Sequence, residues 1–409
     1  MSRILAYTSP ARGHLFPLTP ILLELRDRGH DVSVRTLAAE VPMLRGLGID
    51  AQPIAPAIEV IVHEDWRART AQQGLSRSIQ CFADRAPHDA ADLRAAIEET
   101  NPDLVLVDIN SWGAIATAEL WGGPWAVFCP YPLVLSSADA PPFGPGLRPA
   151  RGLPGRARDR VIGPVIRGAM QRTMLPPLNA LRTQMGLGPV ADLDTFHMRM
   201  PLLLSMTAEP FEYPRSDWPS NVVMVGPIPW EPPAQPPDWL AGIDEPVVLV
   251  TTSSEFQDDG RLVEVALEAL ADEPVHVVAT VPSARVPAPG LMPRNAHVQA
   301  FLAHSQVLPR AACAVTHGGM GATQKALAHG VPVCAVPFGR DQLEVARRVE
   351  VARAGTRLPA RRLTPDRLRT AVREAMGKRE GAARVAAGYQ AAGGAVAAAD
   401  ALERAHAHA

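Results

Sequence analysis

Two histidines stand where an imidazole could do chemistry. His14 follows a short apolar run, residues 3–8, and precedes a segment with helical spacing. A neutral imidazole at the carboxyl end of a strand can take a proton from a hydroxyl near neutral pH. It needs a partner to orient it and to stabilise the imidazolium, and Asp108, closing the apolar run 104–107, is suited to that role. A turn histidine bonded only to backbone would occupy the same place in the sequence. His317 opens the second constellation, His317-Gly318-Gly319-Met320-Gly321-Ala322-Thr323, between the run 312–316 and a helical segment. Glycines at a strand-to-helix junction let backbone N–H groups approach an anion, and the helix N-terminus adds positive potential. The alternative is a tight turn whose glycines serve packing alone.

Three further strand ends carry suitable groups. Asp341 and Gln342 follow the run 331–336 and can hold sugar hydroxyls directionally. Ser253 and Ser254 close the run 247–252, and Phe301 and Leu302 close 297–301, where an aromatic could stack on a base.

The elements that must position these groups alternate. In the first half, apolar runs at 3–8, 32–37, 104–107 and 125–129 are separated by helical stretches, the first predicted to start at Pro17 and stop at Gly29. Residues 141–160 are rich in Pro, Gly and Arg and read as a loop, with a helix predicted over 160–185. Six prolines fall within residues 227–237, which excludes a helix or central strand and predicts a linker. The rhythm then restarts. Unbroken apolar strands between helices imply parallel sheets covered on both faces. The reading is an α/β protein of two Rossmann-like domains facing a cleft. Its parts are a first domain (1–220), the linker (227–237), a second domain (238–385) and a helical terminus (386–409) placed to pack back on the first domain.

Composition narrows the function. With 40 Lys+Arg against 42 Asp+Glu, the net charge of -2 disfavours nucleic acid and anionic membranes as partners. No run of about 18 apolar residues occurs to span a bilayer, and no leader pattern is seen, so a cytoplasmic location is expected. The four cysteines, Cys81, Cys129, Cys313 and Cys334, lack CxxC spacing and read as buried thiols; the 12 histidines show no ligand spacing. No metal is expected.

The run from Phe301 through His317-Gly-Gly-x-Gly, Gly330-Val-Pro332, Pro337 and Asp341-Gln342 resembles the nucleotide-sugar signature of the GT-B glycosyltransferases of natural-product biosynthesis. The resemblance extends to Gly13-His14-x-x-Pro17, Pro177-Leu-Asn-x-Leu-Arg182 and Val225-Gly-Pro-Ile-Pro-Trp230, and is closest to the actinobacterial inverting enzymes acting on macrolides, enediynes and other polyketides. It implies that His317 and the N–H groups of Gly318 to Gly321 hold a diphosphate, with Ser253 and Ser254 adding contacts. It also implies that Phe301 and Leu302 face the base, Leu302 through its backbone, that Asp341 and Gln342 meet the transferred sugar, and that His14 and Asp108 form the catalytic dyad. Trp66, Phe82, Trp112 and Phe143 lie where such enzymes build the acceptor pocket. Two departures stand out. Ala322 replaces a usual hydroxyl, and Lys325 replaces a usual Glu that accepts from the ribose. Lysine cannot accept a hydrogen bond; otherwise Lys325 reads as a solvated helix charge.

The expected activity is metal-independent, cofactor-free transfer of a sugar, a deoxysugar on dTDP, to a hydroxyl of a small apolar aglycone. A homodimer and an auxiliary activator protein stay open as partners. Two alternatives share the fold: a nucleotide-sugar epimerase, and a non-catalytic glycosyltransferase-like partner protein.

Overall fold

The computed structural model describes residues 1–150, 152–282 and 292–407. Seven parallel strands form the first sheet: β1 (Arg3–Tyr7), β2 (Asp31–Thr36), β3 (Asp50–Pro53), β4 (Leu104–Asp108), β5 (Trp125–Cys129), β6 (Leu203–Ser205) and β7 (Val222–Met224), in the order β3-β2-β1-β4-β5-β6-β7. Six more form the second: β8 (Val247–Thr251), β9 (His276–Thr280), β10 (Ala296–Gln299), β11 (Ala311–Thr316), β12 (Val333–Ala335) and β13 (Gly355–Arg357), in the order β10-β9-β8-β11-β12-β13. Every pairing is parallel. The central strands β4, β5, β8, β9 and β11 are buried along their whole length, as sheets covered on both faces require. Alternate residues of β1 divide between two cores, Ile4 and Ala6 to one and Leu5 and Tyr7 to the other. In each sheet the strand order reverses at one point, between β1 and β4 and between β8 and β11, and ligands of open α/β sheets bind outside the carboxyl ends there.

Several boundaries differ from those read in the sequence. The first helix is Arg12–Asp27, so it opens five residues before Pro17 and carries both Pro17 and Pro20 inside it. Both lie beyond the first four N–H groups, so each forfeits one hydrogen bond within the helix. The apolar face holds regardless: Leu15, Leu18, Ile21, Leu22 and Leu25 are all fully buried. The predicted loop over 141–160 ends sooner, at a helix Gly152–Gln184. A 30-residue helix, Ala71–Thr100, was not anticipated; its half-polar sequence buries only a narrow stripe including Ile79, Ala86, Leu93 and Ala96.

The domain limits shift as well. β7 belongs to the first sheet, so that domain runs past residue 220. Residues 227–237 form no regular element. The terminal helical stretch is two helices that divide between the domains. Arg379–Ala391 packs on the second, with Ala382, Val385 and Tyr389 in its core; Gly394–Ala407 crosses to the first. There Ala398, Ala399 and Leu402 join Leu18, Leu22 and Leu25, each buried leucine contributing roughly 1.5–3 kcal/mol. Arg28 donates to Asp400 at 2.6 Å and to Glu403 at 2.9 Å. A buried ion pair ties the domains from within: Arg348 donates to Glu212 at 2.8 Å, both side chains 1% exposed. Residues 408–409 lie outside the described residues.

Candidate active site

His14 lies in the first turn of its helix, at the carboxyl end of β1, and Asp108 is the last residue of the neighbouring β4. The parallel register that sets Tyr7 opposite Val107 brings the two side chains together. His14 Nδ1 is 2.9 Å from the Asp108 carboxylate, which is fully buried, while the imidazole keeps 13% of its surface exposed. Three other donors hold the carboxylate: Ser9 N–H at 3.0 Å, Ser9 Oγ at 2.7 Å and Asn110 N–H at 2.9 Å. Burial tends to raise the Asp108 pKa, but the adjacent imidazole and these donors outweigh it and keep the group ionised below its usual range. Burial tends to lower the His14 pKa; the Asp108 charge and hydrogen bond, then Glu255 and Asp341, more than offset this and leave it raised.

Asn110 and Tyr131 complete the arrangement and were missed in the sequence. The Asn110 side-chain amide lies 3.3 Å from His14 Nε2, and its carbonyl accepts from Tyr131 Oη at 2.7 Å. With Nδ1–H directed at Asp108, Nε2 carries the lone pair a base needs. The only sequence signal for Asn110 was its place two residues past the carboxylate; Tyr131 follows β5 and carried none.

At the second switch point, β11 delivers His317 beside the β8 end that carries Ser253 and Ser254. Gly318 has φ +83°, a left-handed conformation suited to glycine. Its N–H donates to Thr316 Oγ1 at 3.1 Å, so the backbone donors toward an anion begin at Gly319 rather than Gly318. A Cβ on Gly319 would sit 2.1 Å from His317 Nε2, which explains that glycine by packing as well as by approach. The helix Met320–Ala328 follows, and the N–H groups of Met320 and Gly321 in its first turn have no partner within the helix. The Met320 side chain is buried in the core. Burial pushes the His317 pKa down to about 4, so its imidazole is neutral near pH 7.

The remaining donor-side residues are placed unequally. Asp341 is partly buried just before the helix Gln342–Val351, and burial raises its pKa. Gln342 is 1% exposed, and its amide is engaged within the protein, accepting from Phe338 N–H at 2.8 Å and Gly339 N–H at 3.0 Å and donating to Gln257. It shapes the turn that carries Asp341. Ser253 Oγ likewise accepts from Glu255 N–H and the Gln257 amide, whereas Ser254 is exposed. Phe301 is 53% exposed and Leu302 is buried. Of the acceptor-side aromatics, Phe82 and Trp112 meet with ring centroids 5.9 Å apart. Trp66 packs instead on Phe256 of the second domain at 4.9 Å, and Phe143 lies in a loop whose Gly144 and Gly146 N–H groups donate to Glu344.

Lys325 is not a solvated helix charge. Its Nζ donates to Glu231 at 2.8 Å, and Glu231 comes from the proline-rich linker. The same carboxylate accepts from the N–H groups of His304 at 3.0 Å and Ser305 at 2.9 Å. The linker thus brings a carboxylate beside Lys325. Burial raises the Glu231 pKa, but Lys325, His304 and these bonds carry it down to about 2.

Comparisons with known proteins identify the family and the fold. Residues 264–400 match the model described as erythromycin biosynthesis protein CIII-like, C-terminal domain. The chain is 34% identical over 386 residues to 4'-demethylrebeccamycin synthase of Lentzea aerocolonigenes, covering 91% of each. The chain belongs to the GT-B glycosyltransferases of natural-product biosynthesis. This glycosyltransferase is also 31% identical over 319 residues to a PGL/p-HBAD biosynthesis rhamnosyltransferase of Mycobacterium bovis, covering 72% of this chain and 65% of the relative. Among solved structures, the glycotransferase of kitacinnamycin superposes on the glycosyltransferase with a TM-score of 0.76 at 25% identity, over 99% and 98% of the two chains. VinC in complex with dTDP shares the fold, with a TM-score of 0.72 at 23% identity over the full length of both chains. Among the glycosyltransferase's described residues, no helix is long and apolar enough to cross a membrane. Its four cysteines are all buried.

Proposed function

We propose that this glycosyltransferase transfers a deoxysugar from dTDP to a hydroxyl of a small apolar aglycone, with inversion and without a metal. The observation that carries the reading is the His14–Asp108 pair, 2.9 Å apart at the mouth of the first sheet. The acceptor hydroxyl gives its proton to Nε2. Its oxygen attacks the anomeric carbon from the face opposite the diphosphate, and the bond to the diphosphate breaks with its electron pair leaving on that group. Asp108 stabilises the imidazolium that results. His317 and the N–H groups from Gly319 to Gly321 receive the charge on the leaving diphosphate, as fixed dipoles in a water-poor site. One direct displacement inverts the anomeric carbon. A cytoplasmic location fits a nucleotide-sugar co-substrate.

The dTDP assignment rests on Glu231. A carboxylate has about four lone-pair positions. Lys325 and the N–H groups of His304 and Ser305 occupy three of those on Glu231. Capacity remains for one ribose hydroxyl, which suits 2′-deoxyribose. The dTDP in the VinC complex is consistent with this. Titrating dTDP and UDP against one sample tests the choice: tighter dTDP binding is expected, and tighter UDP binding overturns it. Product anomeric configuration by NMR tests inversion, with the donor's own configuration in the product as the contrary result.

A further inference from the structure

The residue before Asp341 spans the cleft. At Arg340 the backbone turns left-handed, with φ +52°, a conformation disfavoured for a residue with a long side chain. Its guanidinium donates twice to Asp65 of the first domain, from Nε at 2.8 Å and from Nη2 at 2.7 Å. This is the two-pronged geometry in which arginine binds carboxylate most specifically. The side chains are 20% and 9% exposed, which separates the pair from surface bridges that contribute little.

Both ends of the bridge lead into a site. Asp65 opens a single turn, Asp65–Arg67, whose Trp66 packs edge-on against Phe256 of the loop after Ser254. Behind Asp65, His63 Nε2 lies 3.6 Å from its carboxylate and 2.8 Å from Ser78 Oγ. The His63 ring meets Phe82 at 5.8 Å, and Phe82 meets Trp112. On the other side, Gln342 and Gln257 join the Asp341 turn to the Ser253 loop. One chain of contacts therefore runs from the aromatic acceptor wall to the residue that carries Asp341.

We infer that Arg340 and Asp65 are a positioning pair for the transfer, setting the Asp341 turn of the sugar site against the acceptor wall so that the acceptor hydroxyl and anomeric carbon meet at reacting distance. The inference rests on the reading of Asp341 as a sugar contact and of Phe82 and Trp112 as acceptor contacts. Arg340 touches neither substrate in this role; it acts through the turn it fixes and the domain it holds. A misplacement of about 1 Å can cost on the order of 10²-fold in rate, so the pair acts chiefly on kcat.

The test is a double-mutant cycle with Arg340→Ala, Asp65→Asn and the double variant, alongside the exchanged pair R340D/D65R and Asp341→Ala. Rates are measured with donor and aglycone, and dTDP affinity by calorimetry. Asp65→Asn is nearly isosteric, and its unfolding midpoint reports whether the fold is kept. Each single variant should lose roughly tenfold or more in kcat, on the scale of that positional effect. The double should be no worse than the poorer single, because the two act as one unit. Asp65→Asn should leave the unfolding midpoint near wild type and dTDP affinity within about threefold while kcat falls, a split that a merely structural role would not produce, and the exchanged pair should recover part of the loss. Additive losses, or Asp65→Asn with wild-type kcat, overturn the inference. Should Asp341→Ala alone keep full activity, it is the reading of Asp341 that falls, and the positioning role falls with it.

Discussion

At the first switch point the protein supplies the partners of its own histidine. His14 meets the Asp108 carboxylate through Nδ1 and the Asn110 amide at Nε2, and Asp108 accepts from Ser9 and Asn110 as well. At the second, His317 is buried and neutral beside a helix start whose first N–H groups have no partner within the helix. In the proposed mechanism the same topology thus serves opposite electrostatic tasks. A base gains a positive charge during the reaction, so its counter-charge must already stand in the protein. An anion site receives its charge from the ligand, so positive potential must be left uncompensated until the ligand arrives. The His14 pKa is raised by the Asp108 charge, whereas the His317 pKa is lowered chiefly by burial.

The largest effect that can break this comparison is at the base. His14→Ala should lower turnover by about 10²–10⁴-fold, the range for loss of a positioned general base, while calorimetric dTDP affinity stays near wild type. Near-normal turnover would remove the dyad from the reaction.

Asp108→Asn should cost less than His14→Ala, and its pH profile sharpens the argument. The base works as neutral imidazole, so kcat/KM falls as pH drops through the His14 pKa, which the Asp108 charge raises above the usual value of about 6.5. Without that charge the acidic limb should move to lower pH. A limb that stays in place would show that another group is titrating.

The second switch point predicts a smaller loss, read in binding. His317→Ala should weaken dTDP by roughly 1.5–3 kcal/mol, the scale of a hydrogen bond to a charged group, and slow transfer in parallel. Unchanged dTDP affinity would place the diphosphate elsewhere. The smallest effect is expected at Asn110, whose amide approaches His14 at 3.3 Å. Asn110→Ala should cost about 0.5–1.5 kcal/mol in kcat/KM, a neutral hydrogen bond's worth, with dTDP binding unmoved. A loss equal to that of His14→Ala would promote Asn110 from orienting the base to taking part in the proton transfer.

Much of this was legible in the chain. Apolar runs followed by His14, Asp108, Ser253 and His317 specified parallel strands with polar groups past their ends, because a strand buried on both faces tolerates polar groups only where it emerges. The glycines after His317 and the prolines of 227–237 marked the anion turn and the linker, because each restricts the backbone in its own way. What sequence spacing could not decide was partnership between distant residues. Lys325 read as solvated because nothing local pairs with it; the fold brings Glu231 to it from 94 positions away. Gln342 and Ser253 read as ligand contacts, yet both hold their own loops through Gln257. Tyr131 and the Arg340–Asp65 bridge, 275 positions apart in sequence, had no local signature at all, and Asn110 had only its place two residues past Asp108. Local rules determined which elements form and which ends carry chemistry. Only the packing of two sheets across a cleft decided which of those ends meet, because hydrogen bonds and ion pairs depend on distances in space that no periodicity along the chain encodes.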